Sequence, residues 1–371
     1  MAIGVNAYIR DAGDLARIGG ATYVHTLWAS TPTAANAGFY ARIVRDLASR
    51  RRLVQAGMKV AQLGRSAEGN DVAALIGSAQ SEVGSVADRH HKRSSVSFDD
   101  VADAALDAIE EGIRCTPTPW VGLNHVIDGW VPGCLYALGA RPGVGKTFVS
   151  LASAVEFAKA NAADDLVAMY FTFEMTAPRL YQRMLSAESA VSGQRIRQGS
   201  LTEAEWQRVS QADGTLRKLP MVVEGASGWT PQQVRARVAS VHRKRRVGFV
   251  VVDHVGLTAA DRRRDNRQAE LSEAADVFLD VAHEFGAAVL LNTQLNRGVT
   301  QRSEQRPVPS DIRDTDRIEQ NSDVVMLLHR DKDGKPSELD LAVAKNRDGL
   351  ESVVHLDFTD GRIVDRRPGR Y

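Results

Sequence analysis

The 371-residue sequence contains only two cysteines, Cys115 and Cys134, and no long apolar run. Two cysteines are too few for a disulfide framework and lack metal-ligand spacing, so we expect inert thiols in a reducing compartment. No apolar stretch reaches the roughly 20 residues needed to span a bilayer. The N-terminus, MAIGVNAYIRDAGD, lacks the basic and then apolar pattern of a secretion signal. These absences predict a cytoplasmic protein with no membrane partner.

An excess of charge of either sign is also missing, because 47 Lys and Arg balance 46 Asp and Glu for a formal net charge of +1. A nucleic-acid partner would therefore need positive charge that is concentrated locally. The sequence shows no internal repeat and no low-complexity tract. Hydrophobic residues make up 43% of the chain, which is ordinary for a globular protein with a core. Length and composition together predict two domains.

The front of the chain, residues 1–92, is alanine-rich and helix-like, without a strand pattern. Apolar residues recur at helical spacing from about 36 to 57, and a second helical stretch runs from about 71 to 89. Only a short polar break, at 66–70, separates them. We therefore expect an α-helical N-terminal domain that contains an antiparallel helical hairpin.

Residues 93–116 form a linker between the two predicted domains. Within it the segment SFDDVADAALDAIEEGIR predicts one amphipathic helix, with Ser97 as N-cap and Val101, Ala105 and Ile109 on its apolar stripe. A lone helix between domains must bury such a stripe. The residues alone leave two docking sites open, one on the same chain and one on a neighbouring subunit.

In residues 117–371 short apolar runs alternate with helical segments. Eight runs predict strands: CLYALGA, LVAMYFTFEM, LPMVVEG, VGFVVVDHV, AAVLLNTQL, DVVMLLHR, ELDLAVAK and SVVHLDF. Near-continuous apolar runs between helices are typical of a mainly parallel sheet that is covered on both faces. The last two runs, joined across NRDGLE, predict a terminal antiparallel pair. The predicted fold class is therefore α/β, with a small all-α domain in front.

The segment ALGARPGVGKTFVSLASAVEFAKANA places a glycine-rich turn between a predicted strand and a predicted helix. The turn consists of Ala140, Arg141, Pro142, Gly143, Val144, Gly145, Lys146 and Thr147. Its two glycines let backbone N–H groups converge on phosphate oxygens, and the helix N-terminus adds partial positive charge. Lys146 would neutralise the β- and γ-phosphates, and Thr147 would offer its hydroxyl to Mg²⁺. The pattern predicts a nucleoside triphosphate site, with Ala140 as a mild departure from the usual first glycine.

Three further polar side chains follow apolar runs and would reach the same edge of the sheet. Asp253 closes GFVVVD and fits a second tether for Mg²⁺. Its successor is His254, so a catalytic carboxylate either comes from elsewhere or is missing. Glu174 at the end of VAMYFTFE could orient the attacking water. Gln294 ends AVLLNTQ, and its amide suits a sensor of the γ-phosphate. The alternative interpretations are a buried structural aspartate and an exposed helix-capping glutamate.

Two groups of cations are candidates for contacts outside the subunit. Lys345 and Arg347 end DLAVAKNRDG, where a cation could reach across a subunit boundary as an arginine finger or lie solvated in a turn. Arg262, Arg263 and Arg264 lie in the loop after GFVVVD, which could grip DNA phosphates or be a solvated polar loop. No aromatic residue interleaves these cations, so base stacking is not indicated.

The combination and order of these motifs resemble those of DnaB-type replicative helicases from about Ala16 to Asp365. The matching strings are GGATYVHTL, TPTAANAGFYARIVRDLASRRRL, ARPGVGKT, FTFEMT, VVVDHVGL, QLNRGVTQRSEQRPVPSDIRD, RIEQNSDVVMLLHRD and AKNRDG. The resemblance implies a RecA-like motor domain, a homohexameric ring with ATP and Mg²⁺ at its subunit interfaces, and 5′→3′ translocation on single-stranded DNA at the replication fork. Primase and a helicase loader are implied partners, and the bacterial cytosol is the implied location.

Carried onto this sequence, the family's motifs imply a role for each residue at the strand tips. Lys146 and Thr147 would bind phosphate and Mg²⁺, and Asp253 would hold the metal. Glu174 would be the catalytic carboxylate, and Gln294 would be the sensor.

Other implied roles lie away from the strand tips. Arg183 would contact the nucleotide, and Lys345 and Arg347 would be cations that act on a neighbour's ATP. Arg313 and Asp314 lie on the implied channel loop that grips the DNA backbone. The resemblance also implies that the linker helix packs on the neighbouring subunit.

Three departures from the family pattern change the expectations. Asp316 stands where the channel loop usually has a glycine, so a carboxylate would repel DNA there, with Arg317 beside it as a compensating cation. His254 and Gly256 replace the usual tyrosine and glutamine after the metal aspartate. The front is shorter than the usual head, which favours a phage or prophage origin.

Two other classes of function fit part of the pattern. A RecA-like ATPase of recombination or regulation would share the nucleotide site but leaves GGATYVHTL and NRGVTQRSEQRP unexplained. A non-enzymatic assembly or loader-binding protein would have no use for the full set of catalytic residues. We therefore predict an ATP-dependent replicative DNA helicase, with a RecA-like ATPase without unwinding activity as the alternative.

Overall fold

The computed structural model describes residues 37–65, 75, 78–79, 82–83, 98–112, 115–258, 267–296, 306–312, 316–331, 335–359 and 361–366. The chain divides into two structural units, residues 1–107 and 108–371. The division falls within the predicted linker. Among the described helices, none is long and apolar enough to cross a membrane.

In the first unit, helix α1 (Ala37–Arg65) covers the first predicted amphipathic stretch and ends where the polar break begins. The predicted second helix of the hairpin, at 71–89, lies mostly outside the described residues. Its described part includes Glu82, whose carboxylate pairs with Lys59 of α1 at 2.6 Å. Since Lys59 is exposed, such a pair contributes at most about 1 kcal/mol to stability.

The predicted linker helix is present as α2 (Phe98–Glu111). Val101 and Ile109, two residues of its predicted apolar stripe, are 50% and 76% exposed.

The second unit is built on a nine-stranded sheet. Its strands are β1 (Leu135–Ala140), β2 (Val167–Thr172), β3 (Met221–Gly225), β4 (Val247–Asp253), β5 (Ala288–Gln294), β6 (Val324–His329), β7 (Glu338–Asn346), β8 (Ser352–Thr359) and β9 (Arg362–Asp365). Six strands run parallel in the order β3-β2-β4-β5-β1-β6, and β7, β8 and β9 follow as antiparallel neighbours. All eight predicted strands are present, and the predicted antiparallel pair is confirmed as β7–β8.

Helices cover both faces of this sheet. They are α3 (Val121–Ile127), α4 (Lys146–Ala160), α5 (Ala177–Ser189), α6 (Gly193–Gln198), α7 (Glu203–Leu216), α8 (Pro231–His242), α9 (Arg267–Phe285) and α10 (Asp316–Asn321). One apolar cluster packs α4 and α5 against a face that includes Phe249. Val250, the next residue along β4, points to the opposite face, where a second cluster packs α8 and α9. The predicted α/β class with a doubly covered sheet is confirmed.

Candidate nucleotide-binding and catalytic site

The glycine-rich turn leaves β1 at Ala140 and enters α4 at Lys146. Gly143 and Gly145 have φ angles of 80° and 128°, which side-chain-bearing residues rarely adopt, so the turn depends on glycine at both positions. Because α4 begins directly after the turn, the free N–H groups of its first turn lie beside the loop. The strand, turn and helix order of a phosphate-binding loop is therefore present. The predicted residues Ala140 to Thr147 run from the last residue of β1 to the second residue of α4.

Lys146 is half-buried at the first position of α4. Its Nζ donates a 3.2 Å hydrogen bond to the carbonyl of Thr293, on the strand beside β1. Burial lowers the pKa of the ammonium group, whereas the negative charges of Asp253 and Glu174 act to raise it. An ammonium has three donors, and the hydrogen bond to Thr293 uses one of them. Lys146 can therefore donate to an anion that lies in the loop.

Asp253, the last residue of β4, meets the loop through Thr147. The Thr147 hydroxyl donates to Oδ2 of Asp253 at 2.9 Å, and Asp253 is only 6% exposed. Carboxylate and hydroxyl oxygens suit Mg²⁺, which proteins hold with one or two side chains together with phosphate and water. Within the described ranges no group of three His, Cys, Asp or Glu could hold a metal by itself. The two oxygens thus fit an ion that is shared with a bound phosphate.

Glu174 lies beyond the end of β2, so the prediction that the strand runs as far as this residue is wrong by two positions. β2 ends at Thr172, whose hydroxyl accepts from the Met175 N–H at 3.1 Å and donates to its carbonyl at 2.8 Å. These bonds turn the chain and leave Glu174 exposed at the carboxyl edge of the sheet. Its negative charge acts on both Lys146 and Arg183.

Gln294 and Arg183 flank the loop on two sides. Gln294 ends β5 and pairs with Ala140, the residue from which the loop departs. The Arg183 guanidinium, on α5, lies 4.8 Å from the ring centroid of Phe148, which follows Thr147 directly in α4. The predicted loop, carboxylates, sensor and arginine therefore come together at the carboxyl ends of parallel strands, where open sheets bind ligands.

Lys345 and Arg347 lie towards the opposite edge of the sheet. Lys345 pairs with Val325 near the start of β6, whereas Ala140 at the end of β1 pairs with Leu328. Three residues of strand separate these two levels, which corresponds to roughly 10 Å. The two cations are therefore set apart from the phosphate loop of their own chain.

Both of these cations have partners in the same chain. The Lys345 ammonium donates to three carbonyls at the end of α10, at 2.6, 3.3 and 2.8 Å. Arg347 donates to Oδ1 of Asp323 at 3.0 Å and to the Gln320 carbonyl at 2.7 Å. Lys345 thus directs its donors to a helix C-terminus, whereas the half-exposed guanidinium of Arg347 keeps further donors beyond these two bonds.

The predicted DNA contacts lie outside the described residues: Arg262, Arg263, Arg264, Arg313 and Asp314. Beside the last two, Asp316 begins α10 and Arg317 binds Asp276 of α9, with Nε 2.8 Å from Oδ1. Arg317 therefore has a carboxylate partner within its own chain. This pairing weakens the expectation that Arg317 offsets the charge of Asp316 towards DNA.

Three polar side chains beneath the site belong to none of the sequence motifs. Tyr170 of β2 donates to Oδ2 of Asp253 at 2.8 Å, and its hydroxyl lies 3.0 Å from that of Ser150 on α4. Asn292 of β5 donates to the Ser150 hydroxyl at 2.9 Å. Burial and the Asp253 charge raise the pKa of Tyr170 well above its ordinary value. The signal that finds such residues is a polar side chain inside an otherwise apolar run, as in VAMYFT and AVLLNTQ.

A phosphate loop of this kind, joined to a carboxylate from β4 in a sheet of this order, defines a RecA-like P-loop ATPase. Comparison with known proteins narrows the class. Residues 115–363 match the family model of the DnaB-like helicase C terminal domain, and residues 2–46 match that of the DnaB-like helicase N terminal domain. The chain belongs to the DnaB-like replicative helicases, a family of ATP-hydrolysing DNA helicases.

Two relatives are similar in sequence to this chain along most of its length. The replicative DNA helicase DnaB of Leifsonia xyli subsp. xyli is 35% identical over 370 residues, which cover 96% of this chain and 80% of that protein. The replicative DNA helicase DnaC of Bacillus subtilis is 33% identical over 356 residues, or 93% of this chain and 78% of that protein. The predictions of family and enzyme class are confirmed.

Two solved structures share the fold. One is an ATPase domain, which matches with a TM-score of 0.68 at 25% identity and covers 74% of this chain and 100% of that domain. The other is a DnaB-like replicative helicase solved for its interactions with primase, which matches with a TM-score of 0.73 at 22% identity and covers 99% of this chain and 87% of that one. The second likeness concerns the fold alone.

Proposed function

We propose that this helicase cleaves ATP at sites shared by neighbouring subunits of a homohexameric ring and thereby moves 5′→3′ along single-stranded DNA. One observation carries the proposal: Lys146, Thr147 and Asp253 meet at one edge of the sheet, and Arg347 lies towards the other. Because Arg347 is set apart from the phosphate loop of its own chain, an ATP site becomes complete when a second copy of the chain supplies this cation.

Within one subunit the loop binds the triphosphate. Backbone N–H groups of the turn and the Lys146 ammonium donate to phosphate oxygens, and the N-terminus of α4 adds partial positive charge. Thr147 and Asp253 hold Mg²⁺, which supplies positive charge to the phosphate oxygens when it is bound. Both side chains are already within hydrogen-bond distance of each other, so little rearrangement is needed to present their oxygens together.

The remaining residues of this subunit act on water and on the nucleotide. Glu174 accepts a hydrogen bond from the attacking water and orients it in line with the bond to be broken. Gln294 contacts the γ-phosphate and senses its loss, because it ends β5 directly beside the start of the loop. Arg183 contacts the nucleotide from the cleft between α4, α5 and β9.

Between subunits, Arg347 adds positive charge to the transition state at the neighbour's ATP. A cation supplied in this way contributes about 10³–10⁵ in rate. Lys345, two residues earlier on β7, is the second cation of the pair. Because both residues are fixed to the end of α10, movement of α10 in one subunit would be coupled to cleavage in the next.

The proposal also includes DNA contacts and protein partners. Arg262, Arg263, Arg264, Arg313 and Asp314 are the residues proposed to contact the sugar-phosphate backbone without reading its sequence. Each phosphate neutralised adds about 0.7 to the salt dependence of single-strand binding. Primase is one proposed protein partner, since a solved structure with this fold concerns interactions with primase. A helicase loader is the other, and this proposal comes from the resemblance to the family.

An unwinding assay on forked DNA tests this function. The unchanged protein should hydrolyse ATP faster with single-stranded DNA and should separate the fork. Lys146→Ala should abolish turnover, and Glu174→Gln should lower it by roughly 10²–10⁴-fold. Lys335→Ala is the control, because this lysine is 82% exposed, pairs with Glu338 outside the site and should retain activity.

The outcomes separate the candidate functions. ATP hydrolysis without unwinding would favour the RecA-like ATPase of recombination or regulation. Purified protein that stays monomeric with nucleotide and never consumes it would overturn the proposal.

A further inference from the structure

A chain of buried polar side chains runs from β5 to the tip of β4. Tyr170, Ser150 and Asn292 are each 0% exposed, and they lie among the apolar residues that fill the sheet and α4. A buried hydroxyl or amide lowers stability unless hydrogen bonds compensate for the water it loses. Three such groups in contact therefore call for an explanation beyond packing.

The hydrogen bonds of these groups lead in one direction. The Asn292 amide nitrogen can only donate, so Ser150 accepts from it at 2.9 Å. The Ser150 proton is then available to the Tyr170 oxygen at 3.0 Å, with the Thr147 carbonyl at 3.2 Å as its other acceptor. Tyr170 in turn donates to the carboxylate of Asp253 at 2.8 Å. We call Asn292, Ser150 and Tyr170, in this order, the donor chain.

The donor chain ends on an oxygen that also meets the phosphate loop. Oδ2 of Asp253 accepts from both Tyr170 and Thr147, at 2.8 and 2.9 Å. Two donors on one oxygen fix the plane of the carboxylate, because rotation about its last bond would break both hydrogen bonds. Bonds from a hydroxyl to an ionised carboxylate are roughly twice as strong as neutral ones. The hydrogen bond from Tyr170 in the core and the hydrogen bond from Thr147 in the phosphate loop together fix the orientation of Asp253.

We propose that Tyr170, aligned by Ser150 and Asn292, is a positioning residue that holds the Asp253 carboxylate in the orientation that binds Mg²⁺. The inference rests on the proposed role of Asp253 as metal tether. Outer partners of metal ligands typically contribute about 10–100-fold to metal affinity or activity. Strand register supports the assignment, since Asn292 is the direct neighbour of Asp253 across the β4–β5 pair.

Tyr170→Phe tests the proposal by removing one oxygen atom. The measurement is the affinity of the full-length protein for fluorescent ADP, made with Mg²⁺ and again with EDTA. We expect affinity with Mg²⁺ to fall about 10-fold, affinity with EDTA to stay unchanged, and the Mg²⁺ concentration for half-maximal hydrolysis to rise. Tyr136→Phe is the matched control, because this buried tyrosine bonds the backbone of Gly129 and Val131 instead.

A second substitution tests the order of the donor chain. Ser150→Ala removes the group that aligns Tyr170, so it should weaken Mg²⁺-dependent affinity by a smaller factor. If Ser150 acts on Asp253 only through Tyr170, the double variant should be no weaker than Tyr170→Phe alone. Ser150→Ala also carries the test by itself if Tyr170→Phe does not fold.

Asp253→Asn separates this inference from the proposed function. If Asp253→Asn abolishes the effect of Mg²⁺ on affinity but Tyr170→Phe and Ser150→Ala do not change it, the metal tether stands and the inference is wrong. Equal losses with Mg²⁺ and with EDTA would show a purely structural role for Tyr170, which also overturns the inference. If Asp253→Asn keeps the full effect of Mg²⁺, the proposed role of Asp253 fails and the inference fails with it.

Discussion

At the scale of single residues, the hydrogen bonds of the site leave Lys146 available for phosphate and Asp253 available for a metal. Asp253 is oriented by the hydroxyls of Thr147 and Tyr170, and Lys146 donates to a backbone carbonyl. Asp253 therefore attracts the positive charge of Lys146, although the ammonium group is hydrogen-bonded to the Thr293 carbonyl and not to the Asp253 carboxylate. A lysine in this position retains its donors for phosphate while the aspartate retains an oxygen for a metal.

Lys345 provides a prediction at the same scale. Lys345→Met removes a donor from three carbonyls at the end of α10, so we expect unfolding free energy to fall by about 1–2 kcal/mol, together with ATP turnover. Urea unfolding and steady-state hydrolysis measure the two effects. Lys335→Met is the control, because this lysine is 82% exposed and should change neither quantity. An unchanged urea midpoint for Lys345→Met would show that its hydrogen bonds to α10 do not stabilise the fold.

Residue chemistry explains which site residues can be predicted from sequence. Lys146 and Thr147 sit in a motif whose spacing phosphate binding dictates, and Asp253 ends an apolar strand. Tyr170 contacts Asp253 across a sequence separation of 83 positions, and Ser150 contacts Tyr170, so both depend on three-dimensional proximity. The local signal for Tyr170 is a polar side chain inside an apolar run, which does not by itself indicate a site. Burial raises the pKa of Cys134 to about 11, in agreement with the expected inert thiol.

At the scale of elements, the parallel strands explain why residues distant in sequence share one site. The carboxyl ends of β1, β2, β4 and β5 lie at the same edge of the sheet. The phosphate loop, Glu174, Asp253 and Gln294 follow or end these strands, so they meet at that edge. The near-continuous apolar runs made these strands predictable. β9 has four residues and no apolar run, so the sequence pattern does not reveal it. The end of β2 is mispredicted because the Thr172 side chain, rather than a glycine or proline, turns the chain.

The turn before β1 yields a prediction for this scale. Gly129 has a φ of 98°, and a Cβ there would lie 2.5 Å from the Thr116 carbonyl oxygen, in the bridge that pairs Thr116 with Trp130. Gly129→Ala should therefore lower the free energy of unfolding by about 2–4 kcal/mol, from backbone strain and the clash together. Urea unfolding followed by tryptophan fluorescence measures the change.

Gly133→Ala is the matched control for the Gly129 substitution. Its φ is 83°, but no atom lies within 4 Å of the position that its Cβ would take. Only the backbone cost of about 1 kcal/mol is expected. Equal losses of unfolding free energy for the two substitutions would mean that the Thr116 bridge can move without an energetic cost and does not fix this turn.

At the scale of the whole molecule, the separation of Arg347 from the phosphate loop bears on assembly. One subunit presents a loop at one edge of the sheet and a cation towards the other, so neighbours related by rotation would meet head to tail. Contacts of this kind close into a ring when the rotation allows. Sequence alone could not reveal this separation, because it depends on the antiparallel return of β7 along β6 and not on any motif.

The most direct test of sites shared between subunits mixes two inactive variants. Lys146→Ala lacks the loop lysine and Arg347→Ala lacks the cation for the neighbour, so each protein alone should hydrolyse almost no ATP. In a mixed ring, about a quarter of the interfaces would join an intact loop to an intact Arg347. We predict that hydrolysis returns on mixing, up to about this fraction of the parent rate. Mixed rings that form but show no more hydrolysis than the separate variants would contradict catalysis across the subunit boundary.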